Sequence, residues 1–145
     1  MPFEYKIIIG AEYVPTVVPL VAAARYSIDV VMYHWQMRPL LHNDPVSILM
    51  QAMQDAQARG VTVRAVVGSE AIRAKLNVYG IKSRMYYGAK LVHAKMLLID
   101  QRIAIVGSHN LTKSAFSRNL EISVAFSLKY PHNELVDYFK NLWGV

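Results

Sequence analysis

Residues 91–110 read LVHAKMLLIDQRIAIVGSHN, two apolar runs interrupted by polar residues of types that take part in catalysis. The polar residues follow the spacing H-x-K-x4-D-x6-G-S-x-N, and the fixed positions hold His93, Lys95, Asp100, Gly107, Ser108 and Asn110. Given residue usage near one in twenty, six fixed types at fixed offsets recur by chance at roughly 10⁻⁸ per starting position. The stretch is therefore interpreted as a functional motif carried by two buried strands.

The first of these strands is expected to bring His93 and Lys95 together. Side chains alternate faces along a strand, so the two residues project to the same side, roughly 7 Å apart. Their neighbours are apolar on both faces, which is typical of a central strand covered by helices. A cation in such a place needs an anionic partner, and the pair alone could also be a strand end that touches solvent.

Helices and strands alternate on both sides of the motif. Apolar runs and helical spacing predict strands within 4–9, 27–35, 61–67, 81–87 and 119–128, and helices within 13–25, 45–60, 69–80, 112–117 and 131–143. Residues 37–44 are predicted to form a loop. The helix-then-strand order around residues 61–67 predicts parallel pairing through a crossover.

Composition indicates one compact globular domain over residues 1–145. The chain is 54% hydrophobic and 18% charged, and its length suffices for a single core. Without cysteine it has neither disulfides nor a thiolate metal site. Glu4 stands where a signal peptide would be basic, and Pro15 and Pro19 break the longest uncharged run. We expect a soluble, cytoplasmic protein without stable membrane association.

The positive charge is concentrated around the motif. The formal net charge is +6, and residues 59–118 hold eleven Lys or Arg and two acidic residues, a local net charge of +9. A positive field there favours polyanionic substrates and speeds their encounter. The alternative is a merely soluble basic surface.

Basic and aromatic residues interleave in the segment that precedes the motif. Cations that bind phosphates and rings that stack on bases are what a nucleic-acid groove uses. Tyrosine is also ordinary strand filling, so the segment has two interpretations. The groove hypothesis assigns binding to Arg73, Lys75, Lys82, Arg84, Tyr86 and Lys90.

The motif resembles the HKD signature of the phospholipase D superfamily, and the match runs from His93 through Asn110. Glu121, near the start of the next strand, resembles the acidic residue that follows the motif in the small nucleases of that family. The resemblance implies an α/β/α sandwich with a mixed sheet. Together with the crossover pattern, we expect an α/β fold whose central sheet is largely parallel.

The resemblance also implies a mechanism. Two HKD motifs of such proteins meet, one histidine forms a covalent phosphohistidine, and the other acts as general acid, with no metal or other cofactor. Carried over, His93 is the nucleophile or the acid, and Lys95 and Asn110 bind phosphate with help from Ser108. Glu121 orients an imidazole through its second nitrogen.

Asp100 is part of the family signature and is therefore a candidate catalytic residue. Five residues along the strand from Lys95, however, it points to the opposite face. We expect it to organise hydrogen bonds near the site and to be more structural than chemical.

Only one HKD motif is present. His34, His42, His109 and His132 all lack a lysine two residues further on. His34 and His42 are further candidate catalytic groups, but a position at a strand end or in a loop is the favoured interpretation of both. The second half of the site must come from elsewhere, and a two-fold symmetric homodimer would supply it.

These observations predict a metal-independent phosphodiesterase, a nonspecific endonuclease that favours DNA over RNA and works as a homodimer. Lipid-cleaving members of the family usually carry two motifs in one longer chain, whereas the short single-motif members that this chain resembles are nucleases. The first alternative is a phospholipase D-type lipid phosphodiesterase, which should show an exposed apolar loop or an amphipathic surface helix for membrane contact, and the sequence has no clear one. The others are an RNA-directed phosphodiesterase, since the sequence shows no residue that reads a 2′-hydroxyl and does not distinguish DNA from RNA, and a nucleic-acid-binding module with an inactive site.

Overall fold

One seven-stranded mixed sheet carries the chain, whose computed structural model describes residues 4–38, 43–129 and 133–144. The strands are β1 (Tyr5–Ile9), β2 (Ser27–Met32), β3 (Thr62–Val67), β4 (Lys82–Met85), β5 (Met96–Ile99), β6 (Ile103–Gly107) and β7 (Ile122–Ser127). The helices are α1 (Tyr13–Ala22), α2 (Pro45–Ala58), α3 (Glu70–Val78), α4 (Lys113–Ser117) and α5 (Glu134–Trp143). Across the sheet the order is β1-β7-β6-β5-β2-β3-β4.

Two apolar cores, one on each face of the sheet, confirm the α/β/α sandwich. Because side chains alternate along a strand, Val30 of β2 joins the core under α1 to α4, whereas Val31 joins the core under α5. In β5, Leu97 and Leu98 divide between the two cores in the same way. Within the described ranges, no helix is both long and apolar enough to cross a bilayer.

The expectation of a largely parallel sheet is wrong. Strand β3 pairs in parallel with β2 and β4, and the other four pairings are antiparallel. The parallel strands follow the helical crossovers α2 and α3, as predicted. Between β5 and β6 only residues 100–102 intervene, too few for a crossover. Asp100 and Gln101 have φ values of 55° and 56°, which produces the tight hairpin and reverses the chain.

Side-chain caps start the helices near the predicted positions. The hydroxyl of Ser69 accepts from the Ile72 N–H at the start of α3, and the Thr112 hydroxyl accepts from the Ala115 N–H at the start of α4. Asp44 is the extended residue before α2, without a side-chain cap bond. Part of the predicted loop at 37–44, including His42, lies outside the described residues, as does His132.

The sheet topology brings the ends of several strands to one side of the sheet. This side, where strands end or begin, is called the site edge. Strands β1, β2 and β6 end there, and the antiparallel strands β5 and β7 begin there. Met96 pairs with both Val31 and Val106 near this edge. The residues just before β5 and just after β2 and β6 therefore lie side by side, and these include most of the motif.

Candidate active site

His93 and Lys95 form the centre of the edge cluster. Lys95 Nζ lies 3.1 Å from His93 Nδ1 and 3.4 Å from Nε2. The predicted strand extends only from Met96, because residues 91–95 lie beyond the last paired residues of β2 and β6. The two side chains nevertheless meet, and the His93 ring is exposed to solvent.

Tyr33, the first residue after β2, is a member of this cluster that the sequence interpretation missed. Its ring centroid lies 4.8 Å from that of His93 and 4.0 Å from that of His34. Lys95 Nζ lies 5.6 Å from the same ring, within range of a cation–π attraction. The only available signal was its position at the end of a buried strand. The Tyr33 ring thus packs beside both the His93 imidazole and the Lys95 ammonium.

The ammonium of Lys95 is partly removed from water. This desolvation lowers the pKa of Lys95, and the negative charge of Glu121 offsets part of the shift. A group in that state gains from an anion placed beside it, since the anion replaces the lost hydration. The local electrostatics therefore favour a bound anion.

Asn110 connects the segments that follow β6 and β2. Its Oδ1 accepts from the His34 N–H at 3.1 Å, and Leu111 and His34 form a backbone hydrogen bond next to it. Because the oxygen is engaged in this way, the side-chain NH₂ is the group that can donate to a phosphate. The structure thus holds the Asn110 amide in a fixed orientation at the same edge as His93.

Ser108 and Glu121 form the other flank of the edge. The Ser108 hydroxyl donates to Glu121 Oε1 at 2.5 Å, and Asn119 Nδ2 donates to Glu121 Oε2 at 3.0 Å. A Cβ at Gly107 would lie only 2.3 Å from the backbone Cα of Ser123, so the glycine allows β6 to approach β7 closely. Within one copy of the chain, Glu121 hydrogen-bonds to a hydroxyl and an amide rather than to an imidazole.

His109 has a structural place beneath this flank. It is buried, with Nδ1 at 2.7 Å from Ser123 Oγ and Nε2 at 2.9 Å from the Gly10 carbonyl oxygen. Its ring packs on Tyr13 with centroids 4.6 Å apart. Burial lowers the pKa of His109, while the Gly10 carbonyl and the charge of Glu121 oppose the shift. The neutral imidazole donates from Nε2 and accepts at Nδ1.

Asp100 lies away from the cluster, which corrects its assignment as a catalytic residue. It follows the last residue of β5, whereas His93 precedes the first, a separation of roughly 20 Å along an extended chain. Its carboxylate accepts from the backbone N–H groups of Arg25, Tyr26 and Ser27 at 2.7–3.2 Å. Asp100 does organise hydrogen bonds, but it ties the α1–β2 loop to the β5–β6 hairpin.

The predicted nucleic-acid groove does not form as one surface. Arg73 pairs with Glu70 on its own helix. Lys82 begins β4 at the opposite edge of the sheet, and Arg84 stacks on Trp143 of α5 with 4.3 Å between the guanidinium carbon and the ring centroid. Tyr86 packs against the core under α5. Lys75 shares a cavity wall with His34 and Asn110, and Lys90, like Tyr86, lies in the segment that joins β4 to β5 at the site edge.

Three comparisons relate this arrangement to known proteins. The sequence model of the family described as cardiolipin synthase, PLD-like domain, matches residues 17–143. A protein named phospholipase D from Rickettsia bellii is 29% identical over 103 residues, which cover 67% of this chain. The matched part is 49% of that protein, so the chain spans about half the length of the curated relative it matches.

Solved structures share the fold over almost the whole chain. Nuc from Salmonella typhimurium, described as a phospholipase D family member, has a TM-score of 0.77 at 22% identity, covering 97% of this chain and 95% of its own. NucT from Helicobacter pylori has a TM-score of 0.77 at 17% identity, covering 96% and 94%. The polyphosphate kinase of Porphyromonas gingivalis has a TM-score of 0.71 at 16% identity, covering 97% of this chain and 24% of its own. At these identities the likeness establishes the α/β fold.

Proposed function

Since the chain belongs to the phospholipase D superfamily, we propose that it is a metal-independent phosphodiesterase that cleaves nucleic acid, with DNA favoured over RNA, at a site completed by a second copy. The observation that carries the proposal is the cluster at one sheet edge. There Nδ1 of the exposed His93 imidazole lies 3.1 Å from Lys95 Nζ, and Asn110 and Ser108 lie at the same edge. These groups supply a nucleophile and phosphate ligands.

The chemistry follows from what a phosphodiester needs. Its negative charge repels nucleophiles, so Lys95 and the Asn110 amide neutralise and orient the phosphoryl oxygens. A neutral His93 nitrogen then attacks phosphorus and forms a P–N bond, while the P–O bond to the leaving group breaks. A protonated second imidazole gives its proton to the departing oxygen. Water, deprotonated by that imidazole, attacks the phosphohistidine and releases the phosphate monoester and His93.

The second imidazole is assigned to His93 of a second copy. Hydrogen bonds from Ser108 and Asn119 already fix the Glu121 carboxylate. In this assignment the carboxylate also accepts a hydrogen bond from the imidazole of the second copy and so orients it, as the sequence predicts. Each copy then supplies one nucleophile or acid to a single shared site on a two-fold axis.

An exposed apolar strip supports the association of two copies. On the face that α5 covers only in part, β1 exposes Tyr5, Ile7 and Ile9, and β7 exposes Ile122 beside Ile9. Leu120 is fully exposed next to them. Edge strands with apolar side chains are normally protected, and a second copy would protect this one.

The strip is continuous with the proposed site. A hollow of about 450 Å³ is lined by Ile9, Leu120 and Ile122 from the strip and by Ser108 and Glu121 from the site edge. A partner seated on the strip therefore reaches the residues that would receive its imidazole.

A lipid phosphodiester is the second candidate substrate, because the same strip could contact a bilayer. The positive charge around the motif favours a polyanion, and a strand face that packs on a second copy is no longer free for lipid. Co-sedimentation with anionic vesicles distinguishes the two. A protein that is dimeric in solution and stays in the supernatant supports the nucleic-acid assignment.

The experiment that tests the function is cleavage of supercoiled plasmid by the purified protein in EDTA, with His93→Ala prepared in parallel. We expect the unmodified protein to nick the plasmid and the variant to lose at least about a thousandfold in rate, since it lacks the nucleophile. Circular dichroism and thermal unfolding check that the variant is folded. Nicking that depends on added Mg²⁺, or that survives in His93→Ala, would contradict the proposal.

A further inference from the structure

A cavity of about 570 Å³ lies next to the site, and the proposed chemistry does not use it. It lies between the segment after β2, helix α3 and the start of α4, and Asn110 forms part of its wall. His34 also lines it, and the His34 N–H is the donor to Asn110 Oδ1. The cavity therefore begins at the residue that is proposed to bind the scissile phosphate.

The charges of the cavity wall fit an anion. Lys75 and Arg38 line it, and none of the described residues that line it is acidic. Arg38 Nε binds Asp44 Oδ2 at 3.2 Å, which fixes the guanidinium at the wall. Lys75 is exposed on α3, and its side chain forms no hydrogen bond or ion pair with another described residue. Lys75 is thus the cation that is free to take a ligand.

The rest of the wall fits a nucleoside. Trp35, Met37 and Ile72 supply apolar surface, and the volume is within the range of sites that bind small organic ligands. An apolar wall beside an unpaired lysine is the combination that contacts a base or sugar and its phosphate together. A lone inorganic phosphate would leave most of this space unused.

We propose that this cavity is the subsite for the nucleotide unit that flanks the scissile phosphodiester, and that Lys75 binds the next phosphate of the strand. The inference rests on the proposed function and deepens it. It selects a substrate with at least two linked phosphates over an isolated diester, and it explains why Lys75, unlike Lys82 and Arg84, lies on the site side of the molecule.

The test compares two substrates and two variants. The substrates are a ten-residue oligothymidylate and bis(p-nitrophenyl) phosphate, a diester with no flanking phosphate. The variants are Lys75→Gln and the matched charge removal Lys129→Gln, whose exposed lysine follows β7 at the opposite edge of the sheet.

For Lys75→Gln we expect the loss of kcat/KM on the oligonucleotide to exceed that on the small diester by roughly fivefold, the size of one exposed ion pair. The slope of log kcat/KM against log salt should also become shallower by about one phosphate contact. For Lys129→Gln, any loss of kcat/KM should be equal on the two substrates. Equal losses for Lys75→Gln on the two substrates would overturn the subsite.

Failure of the proposed function is distinguishable from failure of the subsite. If the unmodified protein cleaves neither substrate, the phosphodiesterase assignment is wrong, and the subsite is judged by anisotropy of the labelled oligonucleotide. Binding that is weaker for Lys75→Gln than for Lys129→Gln then still supports the subsite. Equal affinities of the two variants would reject it.

Discussion

Replacing Asp100 by alanine separates stability from catalysis. The carboxylate accepts from three backbone N–H groups, and Ser27, which donates one of these bonds, is partly buried. Hydrogen bonds to a charged acceptor contribute about 1.5–3 kcal/mol when buried and less when water can replace them. Alanine at a φ of 55° adds a backbone cost of about 1–2 kcal/mol. Together these effects predict a loss of about 2–4 kcal/mol in the free energy of unfolding.

The assay is urea unfolding of the unmodified protein, Asp100→Ala and the matched control Asp100→Asn. Asparagine tolerates the left-handed conformation and keeps one acceptor oxygen, so we expect about half of the alanine loss. Thermal unfolding of the alanine variant should shift down by roughly 10 °C. Below that transition its nicking rate should stay within about threefold of the original, because the site lies at the other end of β5. An Asp100→Ala protein that is fully stable, or that is folded but as inactive as His93→Ala, would refute the reasoning.

Two further predictions concern the strip and the buried histidine. Ile7→Glu places a charge on the apolar strip, so the variant should be monomeric in light scattering and should lose nicking activity. The control Tyr26→Glu changes an exposed residue on the opposite edge and should remain dimeric. A dimeric, active Ile7→Glu protein would contradict the interface. Burial lowers the pKa of His109 in the folded chain, so the unfolded chain takes up the proton first, and stability should be lost as pH falls below about 6.5. Urea unfolding at pH 7.5 and 5.5 should show a smaller decrease for His109→Gln, and equal decreases would mean that other groups determine the acid sensitivity.

The sequence was informative where function depends on local spacing. The motif fixes which residues follow or precede each strand, and strands that end at a common edge bring His93, Lys95 and Asn110 together. Caps such as Ser69 and Thr112 also act within four residues of themselves. Information of this kind is contained in one short stretch of chain, which is why it could be predicted.

The parts that could not be predicted depend on contacts between distant residues. Asp100 finds its partners about 75 residues away, so its place in the signature could not show that it is remote from the site. The antiparallel pairing of β5 with β6 uses a hairpin with positive φ at two non-glycine residues, where no turn signal was visible, and β2–β5 and β1–β7 are antiparallel pairs between strands distant in sequence. The basic residues of the expected groove divide because Arg84 stacks on Trp143, a contact made across 59 positions. Tyr33 enters the site through the same kind of tertiary placement.

The most direct test of the shared site is the nicking rate of an isolated mixed dimer, with one unmodified subunit and one His93→Ala subunit, separated through a tag on only one of them. If each site needs both imidazoles, the mixed dimer should be as inactive as the His93→Ala homodimer. A mixed dimer that retains half of the original rate would contradict the account, and it would show that each chain carries its own acid. His34 is a candidate for that acid, because its ring contacts Tyr33, which also contacts His93.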